Sequence, residues 1–325
     1  MESKVFMKTV GIKGALFLAT CSLSPFAFSG GFSSCSENFY KGAAPVFTKD
    51  SLAKNTYQFC YKGFANQYSG VSKTGLWSAH HLTPSRIKQG KSIKRENNFF
   101  EETKVPKQYR ALLSSYRGSG YDRGHLSPSA DMGTRAQQND SFSLSNMIPQ
   151  APDNNQKTWN NLEQAVRTTV TKTKHSAYVI TGGMFLGEKI RKVGDILVPS
   201  HVYKVVYFPD LKVMGAYVAV NDNSGRIDST SVAQLEQYAG IKFFPQAGTG
   251  IQNKRFNLPL SANQAYKMTS ISAMSSNQSD IFTQMPDSSR SFQQVNSVSD
   301  GLFSGKAVEG KIVEYGIKIL EKVVK

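Results

Sequence analysis

Acidic residues are scarce in this chain: 23 Asp and Glu stand against 39 Lys and Arg in 325 residues, a formal charge of +16. That shortage excludes a charge-balanced surface and favours polyanionic partners: nucleic acid, an acidic membrane surface or a sulfated glycan. Cysteine is scarcer still, at three residues, and no spacing among them resembles a zinc site. An apolar run of the roughly 20 residues needed to span a bilayer is also missing. What is present is a hydrophobic content of 39% with 11% aromatic residues, enough for a sizeable core, which excludes wholesale disorder. The length suits one large domain with appendages or two modest ones.

The first 29 residues read as a secretory signal peptide. Lys4, Lys8 and Lys13 form a basic leader before the short apolar run ALFLATCSLSPFAF, and Ala27 and Ser29 put small residues before Gly30. The competing reading is a membrane anchor, for which the run is short. Cleavage before Gly30 predicts a product with no transmembrane segment, exported to the periplasm or the exterior. It also removes Cys21 and leaves Cys35 and Cys60, a natural disulfide pair outside the cytoplasm, with two buried free thiols as the alternative.

Alternating apolar positions and glycine turns predict strands over residues 56–68, 74–82, 177–185, 196–208 and 213–220. Helices are predicted from 154 to about 170, and over 229–239 with Gly240 as the stop. Residues 86–110 read as a basic surface excursion, with Lys88, Lys91 and Lys94 on a solvated face. Strands and helices mix without a βαβ repeat. The expectation is therefore an α+β fold with a mixed, largely antiparallel central sheet flanked by helices. The domain is expected over 30–246. A flexible tail rich in Ser, Gln and Asn follows over 247–308. Residues 309–325 form an amphipathic helix, with Ile312, Tyr315, Ile319, Leu320 and Val323 near one face. Its partner is open: its own domain, another protein or a membrane surface.

Two motifs carry chemistry. The first is DRGHLSPSA, opening at Asp122; the second is NMIPQ from Asn146, followed by NNQKTWNNLE. On the predicted helix Asn155, Trp159, Glu163 and Arg167 are four apart and drift slowly around one side, so Asn155, Glu163 and Arg167 can border one cleft. Trp159, Leu162 and Val166 then anchor the adjoining face. More ordinary readings exist for each residue: Asn155 as a helix cap, Glu163 with Arg167 as a surface pair, His125 as a structural histidine. Asp122 reads as a turn-fixing residue bonded to backbone. His80, His81, His175 and His201 lack comparable company and are left structural.

These motifs in this order resemble the DNA/RNA non-specific endonucleases, members of the ββα-metal nuclease group. The resemblance covers roughly residues 56–245 and extends more loosely through VITGG, VPSHVYKVV and IKFFP. It implies a ββα-metal motif and a Mg²⁺-dependent endonuclease, with Mn²⁺ or another divalent cation able to substitute. Such an enzyme acts on DNA and RNA through the phosphate backbone and leaves 5′-phosphates. It further implies His125 as general base, Asn155 as the direct metal ligand and Glu163 as holder of metal-bound water. Arg123 and Arg167 become phosphate contacts, and Asn146 a supporting residue beside the site. A homodimer is left open. The chemistry is coherent: a phosphodiester repels hydroxide, so hydrolysis needs a cation on its oxygens and a base for the water.

Overall fold

The computed structural model describes residues 31–187, 190–274 and 281–282. In chain order its main strands are β1 (Thr56–Cys60), β2 (Ala65–Ser69), β3 (Thr74–Leu82), β4 (Asp122–His125) and β5 (Met147–Gln150). These are followed by β6 (Ala177–Met184), β7 (His201–Phe208), β8 (Val213–Val220) and β9 (Ile227–Thr230). Seven of them form one sheet in the order β9-β8-β7-β6-β3-β2-β1. Every neighbouring pair in it is antiparallel, so the sheet is less mixed than expected. The predicted strand over 56–68 is a hairpin, because Gly63 and its neighbours turn the chain. The segment 196–208 breaks at Pro199, which has no amide proton for a ladder.

Both faces of the sheet are covered, and strand alternation sorts the side chains. On β7, Val202, Val206 and Phe208 point to one core, while Tyr203, Val205 and Tyr207 point to the other. The second core is closed by the N-terminal arm (Phe32, Phe39, Leu52) and by helix Val232–Ala239. That helix starts on Ser231, which accepts from the Gln234 amide, and stops at Gly240 in the left-handed region (φ 67°). Cys35 and Cys60 form a disulfide that ties the arm to edge strand β1.

The first face is covered by helix Asn160–Thr173, whose Leu162, Val166 and Val170 are buried with Trp159 against β7 and β8. Burying each aliphatic chain stabilises by about 1.5–3 kcal/mol. This helix continues from a π-helical turn, Asn154–Trp159. Together β4, β5 and the helix make the expected ββα unit, with Asp122 opposite Gln150 and His125 opposite Met147.

Two expectations along the chain need correction. Residues 86–110 are more than a surface excursion: Pro84–Gly90 is helical, and Glu102 and Val105 are buried. The start of the expected flexible tail is packed. Phe256 and Leu258 join the first core, Tyr217 donates to the carbonyl of Pro259, and Ala262–Lys267 is helical. A few well-placed apolar anchors fix this segment despite its polar composition. The signal peptide, tail residues 275–280 and 283–308, and the amphipathic segment 309–325 lie outside the described residues.

Candidate active site

The glycine of DRGH is dictated by its neighbour. A Cβ on Gly124 would stand 2.0 Å from Gln150 Oε1 and 2.6 Å from Gln150 Cβ. Gln150 needs that space because its Nε2 donates to Asn154 Oδ1 (2.6 Å), which fixes the start of the π-helical turn. Asn154 in turn donates to the carbonyl of Val220. The motif strand and the site helix are thus locked to the sheet by buried amides.

Alternation along β4 sends Asp122 toward the helix. Its Oδ2 accepts from Asn155 Nδ2 and from Gln156 Nε2, both at 2.8 Å. Asp122 is therefore a side-chain anchor for the helix rather than a turn bonded to backbone. A carboxylate only accepts, so the amide end facing it must be the NH₂, and Asn155 Oδ1 is turned away. The π-helical turn alters the four-residue spacing inferred from sequence, and insertions of this kind are common at functional sites.

His125 is gripped by aromatic rings. It meets Phe142 edge-on at 5.0 Å between centroids and Phe99 at 5.7 Å. Two arginines cap those rings from outside: Arg123 stands 4.1 Å from the Phe99 centroid and Arg95 stands 5.3 Å from that of Phe142. Burial, then the charges of Arg95 and Arg123, hold the imidazole down to about 3, so it is neutral at physiological pH. Its Nε2 is buried without a hydrogen-bond partner among the described residues.

A cavity of about 610 Å³ is lined by Arg95, Phe99, Asp122, Arg123 and Asn155 among others. A second, of about 430 Å³, runs from Arg95 and Arg167 past Lys91 and Gln164 to Ala262. Arg95 borders both. It was missed in the sequence because it lies in a run of basic residues that reads as solvated surface; nothing local marks it.

Glu163 and Arg167 are not a surface pair. Arg167 Nη1 donates to Asp131 Oδ1 at 2.8 Å, and buried Asp131 also takes His80 Nε2 at 3.0 Å. His80 Nδ1 meets Ser127 Oγ at 3.1 Å. Arg167 and His80 hold the Asp131 carboxyl well below the usual carboxylate range despite its burial. Glu163 is pushed up to about 7 by burial, against the pull of Lys204, Arg167 and Arg95. Lys204, also buried, donates to Thr181 Oγ1 at 2.7 Å and lies 5.3 Å from the centre of the Trp159 ring.

Asn146 does not reach the cleft. Its Oδ1 accepts from Ser78 Oγ and the Ser127 amide, and its Nδ2 donates to the carbonyls of Ser127 and Ser141. Fully buried and fully bonded, it supports the loop after His125 and cannot touch a substrate. Of the other sequence-selected residues, Arg123 and Asn155 line the larger cavity, and His125 packs against Phe99, which lines it as well. Arg167 borders the smaller one. Glu163, four residues before Arg167 on the same helix, interacts electrostatically with Arg95, which borders both.

The family model for DNA/RNA non-specific endonucleases matches residues 42–249. A nuclease of Nostoc sp. is 32% identical over 229 residues, covering 65% of this chain and 80% of that protein. Nuclease C1 of Cunninghamella echinulata is 31% identical over 230 residues, covering 64% and 88%. Among solved structures, the crystal structure of an EndoG/EndoGI complex aligns with a TM-score of 0.54 at 27% identity, covering 61% of this chain and 89% of that one.

Proposed function

This chain belongs to the DNA/RNA non-specific endonuclease family, and from that premise we propose that it is an exported endonuclease hydrolysing DNA and RNA with little sequence preference. One observation carries the reading: a neutral His125 under the charge of two arginines, on the strand whose Asp122 orients the Asn155 amide.

His125 takes a proton from the attacking water. A bound phosphate neutralises Arg95 and Arg123, whose charges depress the imidazole, and so makes it a better base as substrate arrives. Arg123 and Arg95 hold phosphate oxygens, the geometry for which guanidinium is suited. Arg167, pinned by Asp131, contributes charge from the adjoining groove. Asn155 Oδ1 is the protein ligand for a divalent cation, proposed to be Mg²⁺. The donor set supports this choice: an oriented amide oxygen is a hard ligand, and no group of three His, Cys, Asp or Glu suited to a softer metal occurs among the described residues. When bound, the cation would supply charge stabilisation at the phosphate and lower the pKa of water. Glu163 accepts hydrogen bonds from water near that position.

Phosphate contacts position a substrate without reading its bases, which supports low sequence preference. Products with 5′-phosphates are proposed from the family. Export is supported by the Cys35–Cys60 disulfide, since such bonds persist in oxidising compartments. No helix among the described residues is long and apolar enough to cross a membrane.

Plasmid DNA and a structured RNA incubated with Mg²⁺, with EDTA, and with the His125→Ala protein test the proposal. Degradation by the wild type in Mg²⁺ alone is expected. A wild type that binds both nucleic acids and leaves them intact with Mg²⁺ would make the chain a binding module instead.

A further inference from the structure

The family match ends at residue 249, yet the chain beyond it packs on the site helix. Near the end of that helix, Lys172 Nζ donates to the carbonyls of Ala265, Tyr266 and Met268. Three carbonyl partners on one ammonium fix helix Ala262–Lys267 in place. Its first residue, Ala262, borders the groove that starts at Arg95 and Arg167. Tyr266 follows one helical turn later and so lies on the same side.

Tyr266 is 73% exposed, and the Lys172 ammonium stands 5.7 Å from its ring centre. A large ring left in water on a helix held by a lysine contributes nothing to the core. It does present a rigid π-face beside a positive charge. The groove leading to it is lined by Lys91, Arg95 and Arg167, and by no carboxylate. From Arg167 to Lys172 is roughly 7 Å along the helix axis at 1.5 Å per residue. Basic tracking of a backbone with aromatic faces for successive bases is how sequence-tolerant proteins hold single strands.

We propose that Tyr266 and Lys172 form a base-stacking position for a nucleic-acid strand that leaves the cleft along this groove. The position lies outside the family's shared domain and would favour single-stranded or frayed substrate. It rests on the nuclease reading above and names where that site's substrate continues.

The test is fluorescence anisotropy of labelled oligonucleotides on the full chain in EDTA, where nothing is cut. Tyr266→Ala is expected to weaken binding of a long oligothymidylate about tenfold and to leave a dinucleotide, too short to span the groove, unchanged. Tyr266→Phe should bind as the wild type does. Equal affinity of wild type and Tyr266→Ala for the long strand overturns the proposal. So does equal loss on both lengths. A wild type that neither binds nor cuts nucleic acid overturns the nuclease reading; normal binding and cutting with an indifferent Tyr266 overturns only this position.

Discussion

Asn155 donates its Nδ2 to Asp122 Oδ2 across 2.8 Å, joining the first residue of the DRGH strand to the helix that completes the site. The bond decides which end of the amide is available. Partners of this kind orient metal ligands, and their loss typically costs 10–100-fold in metal affinity. Asp122→Ala is therefore expected to raise the Mg²⁺ needed for half-maximal cleavage about 10–100-fold. Asn155→Ala should nearly abolish cleavage while leaving the fold intact. A Mg²⁺ titration of plasmid cleavage measures both, and an unshifted midpoint in Asp122→Ala would remove the orienting role.

The pH profile should be set by Glu163 rather than by His125. Burial raises Glu163 from its ordinary 4.5 to about 7, whereas burial and two arginines hold His125 near 3. Without metal, Glu163 protonates as the pH falls through 7 while His125 stays neutral; a bound cation would favour the charged carboxylate and move this transition down. The cleavage rate should therefore fall on the acid side, and Glu163→Gln should flatten that limb at a lower overall rate. Stability carries the opposite sign. The folded state binds the extra proton between about 4.5 and 7, so this contribution is present below 4.5 and lost as the pH rises through 7. Metal-free melting temperatures of the wild type and Glu163→Gln should converge at low pH and separate above 7, with the variant higher.

Asp131 is the shared acceptor for Arg167 and His80. Asp131→Ala leaves a half-buried guanidinium and a buried imidazole without their partner, a change expected to destabilise by about 2–4 kcal/mol. Its depressed carboxyl contributes stability above the ordinary Asp range, and this is lost as the pH falls toward its folded value. Urea denaturation at neutral pH is the measurement. A loss below about 0.5 kcal/mol, the range of ordinary surface changes, would count against the network.

Gly124→Ala should be felt through Gln150. The new methyl would overlap the glutamine side chain, and overpacking of this kind costs about 1–3 kcal/mol. Adding Gln150→Ala should recover part of the stability but not the activity, since the bond to Asn154 is then missing. Equal stability of the single and double variants would show that the clash is relieved elsewhere.

Reduction of the Cys35–Cys60 bond, which spans 25 positions, should lower stability by about 3 kcal/mol with little effect on the rate at low temperature. Denaturation with and without reductant measures it, and identical midpoints would mean that the arm holds without the bridge.

Most strands of the large sheet and the two main helices were legible because each rests on a local signal: period-two alternation, a helical stripe, Ser231 and Gly240 as start and stop. The ββα order was implied only by the resemblance that the two motifs carry. His125, Arg123 and Asn155 stood out as candidates because two motifs occur in order. The remaining features depend on contacts distant in sequence. Asp122 was read as a turn because its partners lie 33 and 34 residues away. For Arg167 the only partner visible in sequence was Glu163 on its own helix, offered as the more ordinary reading, whereas its carboxylate comes from a loop 36 residues earlier. Arg95 had no local mark at all.

The sequence by itself determined which residue types are available for the proposed chemistry and the order in which they occur. Hydrophobic period and motif spacing are properties of the chain alone. The tertiary structure decided which way the Asn155 amide faces, what holds Arg167, that His125 packs beside two arginine-capped rings, and that residues 256–267 are packed. Those depend on burial and on partners brought together across the sheet, and low dielectric makes their hydrogen bonds and charges consequential only once the chain has folded.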